Sequence, residues 1–173
     1  MASKADSQYF PLAGVARDGW SSDTEATATC LCGAVQVVFS TEAPGLVYTF
    51  HCNCFDCRKI TGSMFATNFT VDNSFIKFVR GEDNLSHWGQ DKTPASGTTM
   101  TNTFCTTCGT LMWRRSALTP HHSFMRVGTV DDFKVQETKL RPQLELFTDN
   151  RTSWFHGVEG ATQFPGPYKS SDA

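Results

Sequence analysis

The chain has 173 residues, of which 39% are hydrophobic, enough for one cored domain and too few for two of ordinary size. A formal charge of −2 and a pI near 6.2 provide no positive field for nucleic acid or an anionic membrane, so neither is expected as a partner. No stretch approaches the ~20 apolar residues of a spanning helix, and Met1–Phe10 lacks a basic segment followed by an apolar run, so a cytoplasmic protein is expected.

Residues 1–24 read as a loose polar arm, residues 25–159 as the cored domain, and residues 160–173, with Pro165 and Pro167, as a strap or tail. Within the domain, short segments rich in aromatic and β-branched residues recur between Gly, Asn, Asp and Pro. They are Thr27–Leu31, Ala34–Ser40, Leu46–Phe50, Met64–Val71, Phe75–Arg80, Thr98–Thr103, Thr110–Arg114, Ser123–Val127 and Gln143–Thr148. Val35, Val37 and Phe39 alternate with Ala34, Gln36, Val38 and Ser40, as in a strand with one face buried more firmly than the other. The pattern predicts a mainly β fold with antiparallel sheets. Helix is expected only after Cys54, through Thr61, and near Ser116.

Seven cysteines cannot all pair within one chain, which favours a reducing compartment and metal ligation over a disulfide scaffold. Cys105 and Cys108, two residues apart and followed by Gly109, have the form of a zinc knuckle: a tight turn aims two thiolates at one ion. Cys30 and Cys32, followed by Gly33, can supply the other two thiolates of a closed tetrahedral site. Four buried free thiols are the plainer alternative.

Cys52, Cys54 and Cys57 offer three ligands within six residues, and no eighth cysteine closes the tetrahedron. An open position is what catalytic zinc requires. A histidine fourth ligand would make the site structural instead, and a C-x-x-C redox pair at Cys54 and Cys57 is a third reading. His51 is the nearest histidine, but in an extended segment it points away from Cys52. Arg58 and Lys59 directly follow the last ligand. They can offset the negative charge of three thiolates or grip a substrate carboxylate, and solvated surface is the competing reading.

Four motifs together resemble one family. They are C-x-C-G-A-V at Cys30–Val35, H-C-x-C-x-x-C-R-K-x-x-G-S at His51–Ser63, F-C-x-x-C-G-T at Phe104–Thr110 and V-G-T-V-D-D at Val127–Asp132. Over about Thr27 to Phe155 the chain resembles the glutathione-dependent formaldehyde-activating enzyme family, which also includes centromere protein V. The resemblance implies a Mss4-like β-tent in which sheets meet around a structural zinc held by Cys30, Cys32, Cys105 and Cys108. It also implies a second zinc on Cys52, Cys54 and Cys57. The implied activity joins glutathione to formaldehyde, and is classified in reverse as a carbon-sulfur lyase.

The chain departs from the family pattern in two places. Asn53 stands where a His is common, and Pro142-Gln143-Leu144-Glu145 replaces a Pro followed by His. Glu145 is therefore the candidate acid/base group, with a rim carboxylate as the bland reading. The expected enzyme binds a thiol, glutathione or a conjugate, at the open zinc. Cys54, Arg58 and Glu145 are its catalytic candidates, Arg58 and Lys59 hold an anionic co-substrate, and Phe55, Phe65 and Trp113 form apolar walls. The alternatives are a zinc enzyme acting on a larger metabolite without glutathione, and a non-catalytic zinc-binding module. Asp131 and Asp132 read as turn or cap residues.

Overall fold

The computed structural model describes residues 14–168. Two sheets form the fold. β1 (Glu25–Thr29), β2 (Gln36–Ser40) and β5 (Ile76–Arg80) make a three-stranded antiparallel sheet in the order β1-β2-β5. The larger sheet has eight strands in the order β11-β10-β3-β4-β9-β8-β7-β6. Its members are β3 (Leu46–Cys52), β4 (Ala66–Asp72), β6 (Leu85–Gln90), β7 (Met100–Cys105), β8 (Leu111–Ser116), β9 (His122–Arg126), β10 (Leu144–Leu146) and β11 (Thr162–Phe164). This is the mainly β, Mss4-like architecture that the resemblance implied.

Side chains alternate across a strand, so the large sheet has two different faces. Phe69, Val71, Trp113 and Met125 point inward and pack against Ala26, Ala28, Val35, Val37 and Phe39 of the small sheet. The opposite face carries Phe50, Cys52, Ala66 and Leu146 and is covered by α1 (Phe55–Thr61) and the C-terminal segment. Aromatic pairs fix both layers: Phe39 lies 4.7 Å from Phe69 inside, and Phe50 meets Phe124 edge-on at 5.9 Å outside. Trp113, expected as an apolar wall of the site, belongs to the inner core instead. Its partner across the sandwich is Phe78, at 6.1 Å.

Several elements differ from the sequence expectations. β6 was not predicted, because Ser86-His87-Trp88-Gly89-Gln90 is polar and contains a glycine; it forms as an edge strand paired with β7. The sheet is mixed rather than wholly antiparallel, since β10 runs parallel to both β3 and β11. Ser116 ends β8 instead of starting a helix, and the second helix is α2 (Phe133–Glu137). Asp132 caps α2, its Oδ1 accepting from the Lys134 N–H at 2.8 Å. Asp131 is tied to β1 by the Thr29 hydroxyl at 2.6 Å.

The expected arm falls partly outside the described residues, at 1–13. Its remaining residues are tied to the domain: Val15 donates to the Leu31 carbonyl, and Asp18 pairs with Arg80 at 2.6 Å. In the C-terminal segment, Phe164 and Tyr168 pack on the outer face of the large sheet.

One glycine is dictated by a close approach. Gly81 has φ 75°, and a Cβ there would lie 2.1 Å from the Ala34 carbonyl oxygen. Gly81→Ala is expected to destabilise the protein by about 3 kcal/mol or more, combining left-handed strain with a backbone clash. Urea unfolding of the variant checks this.

Candidate metal centres

Among the described residues, two groups of side chains bring metal-ligating atoms together: Cys30, Cys32, Cys105 and Cys108, and Cys52, Cys54 and Cys57. In each group the sulfurs all lie within 4.8 Å of one another. All seven are free thiols.

The four-cysteine group joins the two sheets. Cys30 and Cys32 sit in the turn between β1 and β2, Cys105 ends β7, and Cys108 sits in the turn before β8. Each turn folds back in the same way. The Cys30 N–H donates to the Val35 carbonyl and the Cys105 N–H to the Thr110 carbonyl, while Gly33 and Gly109 adopt φ of 80° and 71°. Sulfur separations of 3.6 Å for Cys30–Cys32 and 3.8 Å for Cys32–Cys105 fit a tetrahedron with Zn–S bonds of ~2.3 Å, whose vertices lie ~3.8 Å apart. The Val35 N–H and the Asn84 amide donate to the Cys30 and Cys105 sulfurs, both at 3.2 Å, as expected for thiolates that carry charge. Burial pushes the Cys30 thiol up to about 12, so a cation at the centre is what makes four thiolates tenable there.

The triplet is built differently. Cys52 is the last residue of β3 and points to the outer face. Cys54 then caps α1, its sulfur accepting from the Cys57 N–H at 3.3 Å, and Cys57 follows one turn later. Strand end, cap and first turn thus aim three sulfurs at one point, and Gly62, at φ 62°, ends the helix. Cys52 and Cys57 are buried and Cys54 is half-buried. Cys54 is lowered by Cys52 but raised more by Cys57 and by burial, to about 11. Cys57 is held well below its ordinary value, first by hydrogen bonds from Cys52 and Cys54 and then by the charges of Arg126 and Arg114, which together outweigh burial.

Those two arginines were not legible in the sequence. Arg114 on β8 and Arg126 on β9 share the outer face with Cys52 and are only 6% and 7% exposed. Arg114 Nη1 lies 3.9 Å from the Cys57 sulfur, and its Nη2 lies 3.6 Å from Asp56. Arg126 Nη1 donates to the Asn68 amide oxygen across the β4–β9 ladder. Burial lowers the Arg126 pKa, which marks an environment where cations are costly. Arg58 and Lys59 instead lie along α1, half-buried and exposed respectively. With Phe55, Gly62, Ser63 and Met64 they line a groove of about 460 Å³ along α1. Arg58 also lies over the Phe55 ring, 5.5 Å from its centroid.

His51 faces away from Cys52, as strand alternation requires, and is not grouped with the triplet. Its Nε2 shares a 3.2 Å hydrogen bond with Asn53, and its ring packs against Phe65 at 4.5 Å and Phe155 at 4.9 Å. Burial pushes its pKa down. Phe65 therefore supports His51.

Glu145 is wholly buried, so it is no rim carboxylate. It accepts from Asn53 Nδ2 at 3.0 Å, Arg151 Nε at 2.9 Å and the Val158 N–H at 3.0 Å. Burial raises its pKa, but these three donors outweigh burial and hold it below the ordinary 4.5. Asn53 also donates to the Leu146 carbonyl, so the departure from the family's His locks the Cys52–Cys54 link onto β10. Because the unfolded chain takes up the Glu145 proton first as pH falls, the stabilisation is complete above pH 4.5 and is lost as pH falls through the folded pKa. Glu145→Gln is expected to cost about 2 kcal/mol at pH 7, with its gap from the wild type closing below pH 4.5. Denaturant titrations stepped through that range check it.

A separate cavity of about 350 Å³ lies beside Cys30, lined among others by Ala16, Arg17, Asp131 and Gln136. The four-thiolate centre it adjoins has no open position. No helix among the described residues is long and apolar enough to cross a membrane.

A crystal structure of a Rhodobacter sphaeroides protein is similar, with 27% identity and a TM-score of 0.46 over 60% of this chain and 85% of that one. No curated protein matches. Residues 25–150, most of the chain and all seven cysteines, match the model of the glutathione-dependent formaldehyde-activating enzyme family, and the chain belongs to that family.

Proposed function

We propose that the protein is a zinc enzyme of carbon-sulfur lyase type, which forms or breaks the bond between a thiol sulfur and an electrophilic carbon at the Cys52–Cys54–Cys57 centre. One observation carries this reading: three sulfurs converge and, among the described residues, no fourth protein ligand is grouped with them, while Arg58 and Lys59 of the same helix line a groove. Cys52, Cys54 and Cys57 would hold a zinc ion, which when bound would supply stabilisation of a thiol's anion.

The residues around it have separable tasks. Arg58 and Lys59 hold the carboxylates of an anionic thiol such as glutathione, Arg58 with a planar fork suited to a carboxylate. Phe55 and Met64 supply the apolar part of the same groove. Cys54, the half-exposed member of the triplet, faces the incoming group. Glu145 is buried and already accepts from Asn53, Arg151 and the Val158 N–H, so its task is to position the ligand loop rather than to move a proton. In the adduct-forming direction the sulfur bonds to the carbonyl carbon of formaldehyde, and the thiol proton ends on the new hydroxyl. Cleavage is the same step reversed.

Exchange NMR on glutathione and formaldehyde at equilibrium tests the proposal, using wild type, Cys54→Ala and a protein-free blank. The expected result is exchange faster than the blank with wild type only. Zinc-loaded wild type no faster than the blank would overturn glutathione–formaldehyde chemistry and direct the search to larger thiol conjugates.

A further inference from the structure

Beneath α1 the outer face of the large sheet carries a row of polar side chains that the proposed mechanism has not used. Asn68 lies opposite Arg126 on β4 and β9, and Asn102 lies opposite Arg114 on β7 and β8; Arg114 itself is opposite Phe124, so the two arginines are diagonal neighbours on this face. All four are buried. Their hydrogen bonding is incomplete: Arg126 Nε and Nη2, Arg114 Nε and Asn102 Oδ1 are buried without a partner. Arg58, on the helix above, has Nε and Nη2 in the same condition. Buried guanidinium donors left unpaired in this number are uncommon in folded proteins, and they point to a group that completes them.

Charge gives the same answer. Around the triplet the buried or half-buried cations are Arg114, Arg126 and Arg58, Lys59 being exposed to solvent, while Asp56 is the carboxylate that pairs with Arg114. Three thiolates around a divalent cation carry one net negative charge. Together with Asp56 they balance two of the three arginines, so one positive charge stays uncompensated until a further anion arrives. A neutral ligand leaves it uncompensated.

Resting on the reading of the triplet as an open metal centre, we infer that Arg114 and Arg126 are specificity-determining residues that make this centre select an anionic fourth ligand, a thiolate, over a neutral one. They act from the sheet side, opposite the Arg58 and Lys59 groove. Their permanent charge and unused N–H groups hold the sulfur of the incoming thiol as its anion, whatever the rest of that molecule is. Arg126 is the more telling of the two, because it faces the neutral amide of Asn68 and the Cys57 sulfur with no carboxylate beside it among the described residues, whereas Arg114 has Asp56.

The test uses full-length protein loaded with Co²⁺, whose visible bands report the ligands at each site. The probes are 2-mercaptoethanol, an anionic ligand once bound, and imidazole, a neutral one. Wild type is expected to take up two cobalt ions and to bind the thiol with a new sulfur-to-cobalt band that is missing in Cys54→Ala. Arg126→Gln should weaken thiol binding about tenfold or more while imidazole affinity stays within about twofold, and Arg126→Lys should recover most of the thiol affinity. If Arg126→Gln does not fold, judged by loss of the four-cysteine cobalt spectrum, Arg114→Gln carries the same comparison. Two filled sites with thiol affinity unchanged, or with thiol and imidazole weakened equally, would overturn the inference alone. A wild type that takes up one cobalt, or two with no response to thiol, would overturn the open-centre reading and this inference with it.

Discussion

Cys105→Ala is expected to leave the chain unfolded or molten at 37 °C, the largest effect of any single substitution in this protein. Cys105 is fully buried at the end of β7, and its sulfur lies 3.8 Å from that of Cys32 in the turn of the other sheet. Removing it opens the cysteine cluster that ties the β1–β2 turn to β7 and the turn before β8. Structural zinc in peptides binds with ~10–16 kcal/mol, comparable to the whole 5–15 kcal/mol stability of a typical domain, so losing one of four ligands need forfeit only part of that to unfold the chain. A prolonged incubation with a strong chelator should do the same to the wild type. Far-UV and near-UV circular dichroism of the variant and of the chelated protein check this; a native near-UV spectrum in either would contradict it.

Cys54→Ala should behave in the opposite way, abolishing turnover, with a loss of at least about 100-fold, while shifting the melting temperature by only a few degrees. Cys54 is half-buried at the cap of a seven-residue helix, and its only backbone task is the 3.3 Å contact with the Cys57 N–H, so the fold loses about 1 kcal/mol, the worth of an N-cap. The β3–β4 and β4–β9 ladders beneath it do not depend on that sulfur. What is lost is a third of the ligand set. Calorimetry alongside the exchange assay separates the two effects, and equal collapse of fold in Cys54→Ala and Cys105→Ala would contradict the division into a structural and a working centre.

How much of this was legible in the sequence depends on how local each signal is. Cysteine spacing is local: the C-x-C, C-x-x-C and C-x-C-x-x-C groups show the two ligand sets without any knowledge of the strands between them. Runs of β-branched and aromatic residues located nine of the strands within a few residues. β6 escaped because an edge strand needs little apolar content, and β11 because three residues, Thr162–Phe164, carry no periodicity of their own. α2 depends on the Asp132 cap more than on any apolar stripe.

The residues around the triplet were the hardest to read. Arg114 stands 57 positions from the Cys57 sulfur it approaches, and nothing in Trp113-Arg114-Arg115 tells which arginine turns outward until strand alternation is anchored by Trp113 in the core. Glu145 read as rim or base because glutamates are mostly exposed. Its burial follows from β10 lying between β3 and β11, a parallel arrangement that short polar-flanked strands do not announce.

Native mass spectrometry of zinc-reconstituted protein, with Cys54→Ala beside it, tests the central claim of two centres per chain most directly. The account predicts two zinc ions on the wild type and one on the variant, the retained ion belonging to the four-cysteine centre. One zinc on the wild type, or two on both proteins, would contradict it.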